Sequence, residues 1–126
     1  MSDGAAIALL PAVELRRRVA EGELSPVDVL DACLGQIDRH NDRINAVVTL
    51  DESARDQAAA LERRLAGGEA PGLLCGLPVG IKDTTPVAAV RTTYGSPLYS
   101  DHVPDEDALV VRRLRAAGAV ILGKTN

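Results

Sequence analysis

The chain is poor in large rings: its 126 residues hold two tyrosines, no phenylalanine and no tryptophan. A core without them is built from Ala, Val, Leu and Ile and forgoes the large buried areas that aromatic side chains supply. Such a core is either finely packed or part of something larger, and at this length the chain is one domain at most. Cysteine is scarce too. Cys33 and Cys75 stand far apart with no C-x-x-C or Cys/His spacing, which excludes a disulfide framework and a zinc site and points to a reducing compartment. No long run of one charge occurs. A net charge of −4 with both signs interspersed leaves no basic stripe to track phosphates, so no nucleic-acid partner is expected. The cluster Arg16-Arg17-Arg18 falls in an amphipathic helical pattern and reads as a solvated face. Long hydrophobic runs are missing as well. The apolar start carries Asp3 where a signal peptide has positive charge, and Pro11 closes it too soon to span a bilayer. No membrane association and a cytoplasmic location are expected.

What the chain does have is periodicity. Residues 11–21 read as a helix with Pro11 near its first turn. Ser25-Pro26-Val27-Asp28 supplies a cap, a proline at the first helical position and an acid placed for a capping box. Val27, Leu30, Leu34 and Ile37 recur at helical spacing and predict one helix to about His40, with Cys33 as a small buried hydrophobe on its apolar stripe. The β-branched run from Ile44 to Leu50 predicts a strand. Asp51 can cap the next helix, with Ala54, Ala58, Leu61 and Leu65 on one face, and Gly67, Gly68 and a proline end it. This Gly/Pro stretch is the expected internal boundary, dividing a mainly helical layer (1–68) from the start of a core sheet (69–126).

From Leu74 the texture changes. LLCGLPVGIKD predicts a strand ending near Lys82. The polar stretch from Asp83 to Pro104 is too long for an ordinary connection, and loops of that length inside compact domains are often functional. Asp105, Glu106 and Asp107 crowd a helix N-terminus, where the macrodipole favours them. Val110, Val111, Leu114 and Ala117 give that helix its buried face, Gly118 is its C-cap, and Ala119–Leu122 is a buried strand. Strand, long loop, helix, strand is the rhythm of an α/β protein.

Several patterns invite a chemical reading. Gly118 to Thr125 satisfies G-x-x-x-x-G-K-[ST], yet the four intervening residues are the apolar strand itself, and branched residues do not curl round a pyrophosphate with their N–H groups pointing inward. Ser96, Ser100, Asp101 and His102 hold the residue types of a nucleophile, an orienter and a base, but sequence neighbours do not usually converge on one atom. Asp101, His102, Asp105, Glu106 and Asp107 lack EF-hand spacing, and capping accounts for the last three. Lys82 stands out by position, at the end of an apolar strand beside Asp83. A lysine drawn into a desolvated site there is available as a base. Acting near neutral pH asks for a drop of roughly three units from about 10.4, on the order of 4 kcal/mol. The bland alternative is a lysine capping a strand end in solvent, paired with Asp83.

GLPVGIKD, TTYGSPL and DHVPDEDALVVRRLRAAGAVILGKTN resemble the N-terminal part of the amidase signature family, serine hydrolases of carboxamides with a Ser–cis-Ser–Lys triad. GELSPVDVLDACLGQIDRHNDRINAVVTL resembles that family's N-terminal helices and the turn into its first strand, so the likeness covers nearly the whole chain in the family's order. It implies an α/β fold, the N-terminal part of the amidase signature fold: a mixed β-sheet flanked by helices, here incomplete, with residues 1–126 the N-terminal segment of a single domain. It implies Lys82 as the catalytic lysine and general base, a small-molecule amide substrate, and neither cofactor nor metal. Gly95-Ser96 and Gly123-Lys124-Thr125-Asn126 match segments that shape the site and the sheet, without a catalytic role. Two departures stand beside it. The family's nucleophile, cis-serine and oxyanion hole lie in a Gly/Ser-rich segment downstream of GKTN, and no serine here has that context. The chain alone is therefore expected to be inactive, its completion a missing C-terminal part or a homodimer. Many members also carry a glycine before Arg-Thr-Thr where Ala88-Ala89-Val90 stands, a change that can alter the loop's course. Within the family, TTYGSPLYSDHVP is more similar to general amidases than to the A-subunit of the tRNA-dependent amidotransferase. Outside it, the alternative is a non-catalytic remnant or interaction module, with bare sheet edges as its physical symptom.

Overall fold

A computed structural model describes residues 3–126. Helices α1 (Asp3–Ala8), α2 (Ala12–Ala20) and α3 (Pro26–Ile44) lead into strand β1 (Val47–Leu50) and helix α4 (Ala54–Ala66). Strand β2 (Pro78–Lys82), a 3₁₀ turn (Pro97–Tyr99), helix α5 (Leu109–Ala116) and strand β3 (Val120–Thr125) complete the chain. The sheet runs β1-β3-β2, with β1 antiparallel and β2 parallel to the central β3. The expected α/β architecture, a small mixed sheet flanked by helices, is present.

Local chemistry sets most boundaries. Ser25 Oγ accepts the Val27 N–H at 3.0 Å, and Pro26 opens α3 at the first helical position. The helix outruns its apolar stripe by a full turn, ending at Ile44 with Asn45 in the left-handed conformation at φ 47°. Asn41 explains the extension: its side-chain amide donates to Val47 O at 2.8 Å and accepts the Val47 N–H at 2.9 Å, tying the last turn to β1. The strand therefore begins at Val47 rather than Ile44, and Ile44 is exposed. The N-cap of α4 is Ser53, with no side-chain capping bond, rather than Asp51. Asp51 folds the turn before it, its carboxylate taking the Ser53 N–H and hydroxyl at 2.8 and 2.7 Å and the Gln57 amide at 2.8 Å. Cys33 is only half-buried and Cys75 fully so; both thiols are free, and burial pushes both upward.

Helix α3 sits between two apolar clusters. Val29 joins Leu15, Val19, Leu61 and Cys75, while Leu30 joins Ala54, Ala58, Val120 and Leu122. A third cluster, Ile81, Val87, Val90, Val111 and Ile121, covers the opposite face of the sheet, because Ile121 alternates with Val120 and Leu122 along β3. Helix α5 starts later than the acids suggest. Asp105, Glu106 and Asp107 precede it, Ala108 is its N-cap, and Val111 is buried while Val110 is exposed. Asp107 serves as a tie instead, accepting the Ala88 N–H at 2.8 Å and Arg115 Nε at 2.9 Å. Ala117 caps the C-terminus, and Gly118 follows in the left-handed region at φ 92°.

One irregularity decides where the chemistry goes. Val79 pairs with Ile121 and Gly80 with Gly123, so β3 carries an extra residue, Leu122, against β2. A side chain at Gly123 would lie 2.2 Å from Thr49 O, so only glycine lets β1 approach there. Simple alternation would place Lys124 on the face of Val120 and Leu122, against the helices. The bulge moves it to the face of Ile81, its partner in the ladder.

Candidate active site

Lys82 and Lys124 are the only lysines in the chain, and the two strands place them in opposite environments. Lys82 ends β2, pairs with Thr125 and is exposed. It opens onto a cleft of about 500 Å³ walled by Val48, Thr93, Tyr94, Ser96 and Asn126, with Asp83 and Arg91 as the other charged groups on its lining. The desolvation expected of a base at this position is not supplied by the described residues. Nor does Lys82 pair with Asp83: the ion pairs among the described residues include Asp83 with Lys124 at 3.5 Å and none of Lys82.

The long segment after Lys82 is ordered by its own polar groups. Thr85 N donates to Lys82 O at 2.9 Å, closing a turn at the strand end. Tyr94 N donates to Asp83 O at 2.9 Å, and the Asp83 carboxylate accepts the Thr93 N–H at 3.2 Å and the Thr93 hydroxyl. Val87 and Val90 form a bridge and bury their side chains against Val111 and Ile121. Ala89 adopts φ 62° and Tyr94 φ 54°. The loop thus passes Ala89 in the conformation that favours glycine, at a cost of about 1 kcal/mol.

Lys124 is fully buried beneath this turn. Its ammonium donates to Thr85 O at 2.8 Å and Thr92 Oγ1 at 2.7 Å and faces Asp83 Oδ1 at 3.5 Å. Three donors thus meet three acceptors, the arrangement a buried ammonium requires. Burial pulls the Lys124 ammonium below the ordinary lysine value, and the Asp83 charge opposes that shift. Burial also pushes Asp83 upward, but the Thr93 hydroxyl and N–H, with Lys124 behind them, hold it below the ordinary carboxylate value. The G-x-x-x-x-G-K-T pattern is accordingly a strand whose lysine faces inward.

The other candidates stay apart. Ser96 Oγ accepts the Leu98 N–H at 3.3 Å and caps the 3₁₀ turn, and Ser100 O accepts from Arg91 at 2.8 Å. His102 packs its ring against Tyr94 and Tyr99, with centroids 5.9 and 5.8 Å away. Among the described residues no three His, Cys, Asp or Glu side chains gather as a metal site. Arg17, in the basic cluster, is clamped by Glu14, Glu21 and Glu23. Sequence reasoning misses Asp83, Thr92 and Lys124 as a unit. The signal available is a lysine embedded in an apolar strand, which has to find buried acceptors.

Comparison with known proteins places these residues in context. The family model described as Amidase matches residues 28–126. The glutamyl-tRNA(Gln) amidotransferase A-subunit of Salinispora tropica is 47% identical over 116 residues, 91% of this chain and 24% of that protein. An acylamidase of Rhodococcus erythropolis is 42% identical over 118 residues, 93% of this chain and 25% of that protein. The peptide amidase of Stenotrophomonas maltophilia superposes with a TM-score of 0.87 at 39% identity, covering 94% of this chain and 25% of that one. The chain spans about a quarter of the length of these relatives.

Proposed function

Because the chain belongs to the amidase family, we propose that it is the lysine-bearing part of a hydrolase that cleaves carboxamide C–N bonds, with Lys82 as the general base. The observation that carries this reading is Lys82 itself: exposed, unpaired among the described residues, and set at a strand end on a cleft large enough for a small amide. Neutral Lys82 accepts a proton through a cis-serine, which activates a nucleophilic serine; the acyl-enzyme forms with release of ammonia or an amine, and water then frees the acid. Both serines and the oxyanion-hole donors lie outside the motifs of these 126 residues, so these residues alone are expected to be inactive. The cytoplasm is the proposed location.

The test is amide hydrolysis by the complete amidase domain containing these residues, with Lys82→Met alongside. Loss of turnover with folding intact supports the base role, and unchanged turnover refutes it. A second reading places the chain in a tRNA-dependent amidotransferase. It is favoured by the higher identity to the Salinispora protein, 47% compared with 42% to the acylamidase. Glutamine-dependent amidation of a mischarged tRNA, without hydrolysis of simple amides, would select it. Measurable amide hydrolysis by residues 1–126, abolished by Lys82→Ala, would overturn the expected inactivity.

A further inference from the structure

A base beside a carboxylate faces a physical problem. An uncompensated anion next to a lysine favours its ammonium form, whereas a general base must spend time neutral. Asp83 follows Lys82 directly and is buried, so water does not screen its charge well. The groups around it show how the problem is met. Charged groups facing the cleft are Lys82, Asp83 and Arg91, with Tyr94 as the other titratable side chain. Within 4.0 Å of the Lys124 ammonium the ionic partner is Asp83. Lys124 binds both ends of the turn that begins at Lys82: the Asp83 carboxylate at 3.5 Å and the Thr85 carbonyl at 2.8 Å. The same turn is closed by the 2.9 Å bond from Thr85 N to Lys82 O.

We propose that Lys124 is a positioning residue for Lys82: its buried ammonium fixes the 82–85 turn and neutralises the adjacent Asp83 carboxylate, which then does not hold Lys82 in its charged form. The inference rests on the reading of Lys82 as the base, but its mechanism is local and can be measured without turnover. The strand bulge is what makes it possible, because without it Lys124 would point at the helices.

The presence of only two lysines allows a direct test on the 126-residue chain. Competitive acylation with trace acetic anhydride at pH 8, read by mass spectrometry against a small-amine standard, reports the neutral fraction of Lys82. Lys124→Met, which leaves Asp83 unbalanced, is expected to slow Lys82 labelling by at least about threefold, the effect of a single charge at short range even with full screening by water. Asp83→Asn is expected to raise it above wild type. The double variant, with both charges gone, should return it to the wild-type rate. A purely structural brace predicts otherwise, since loosening the turn leaves an exposed amine as reactive or more so. Unchanged or faster labelling in folded Lys124→Met overturns the proposal. If Lys124→Met fails to fold, the other two variants decide: Asp83→Asn at or below the wild-type rate overturns it. Failure of the base reading would show itself separately, as turnover surviving Lys82→Met in the complete domain.

Discussion

The ends of β2 and β3 each carry a lysine, one at Lys82 and one at Lys124, in adjacent strands of one sheet. Lys82 is exposed on a cleft; Lys124 has no exposed surface and three acceptors. The same residue type sits in two environments, and the difference comes from one extra residue in β3 and from what the following loop folds over. A buried lysine is tolerated only when its ammonium is fully partnered, so its surroundings are rigid and specific. An exposed lysine costs the fold nothing and is free for chemistry. Position along a strand does not separate the two. The partners do.

The comparison is broken most strongly by exchanging the roles. Lys82→Met in the complete domain should lower amide turnover by about 10²–10⁴-fold, as loss of a general base does, while in the 126-residue chain, where the side chain is exposed, the melting temperature should stay within about a degree. Lys124→Met should do its damage in stability. It leaves a buried carboxylate without its counter-charge, a loss of about 3 kcal/mol, read as a melting temperature lower by on the order of 10 °C.

Asp83 sharpens the contrast through pH. Its folded-state value lies below the ordinary 3.8, so its contribution to stability is complete above that value and is lost as pH falls through the folded one. Wild type should therefore lose stability steeply below about pH 4, and Asp83→Asn should show a shallower acid limb in thermal melts. Glu14, held down to about 2 by hydrogen bonds to Arg17 and Arg18, titrates in both proteins and cancels in the difference. The smallest effect is expected at Ala89. Ala89→Gly should stabilise the loop by about 1 kcal/mol by relieving the left-handed backbone, and an unchanged or lower melting temperature would show that the φ of 62° is not strained.

How much of this is legible in the sequence follows from what each signal measures. The cap at Ser25-Pro26, the apolar run of β3 and Lys82 at a strand end are local or periodic, and each lies where the sequence places it. The extension of α3 to Ile44 is hidden because it depends on Asn41 bonding Val47, a contact that apolar periodicity does not report. The buried face of α5 excludes Val110, against the periodic reading: it runs through Val111 with Leu114 three residues on, packed on the cluster of Ile81, Val87 and Ile121, and Val110 falls outside that stripe. The Lys124 site is invisible for a different reason. Its acceptors come from Asp83, Thr85 and Thr92, some forty to thirty residues earlier, and its orientation comes from a bulge that no alternation rule anticipates.

The partition between the two lysines is tested most directly by acylating the native 126-residue chain under trace-label conditions and comparing the two sites in one sample. The account predicts labelling at Lys82 at the rate of a solvent-exposed amine, with Lys124 protected by more than about a hundredfold until the protein is unfolded. Comparable labelling of both lysines in the native protein would contradict it.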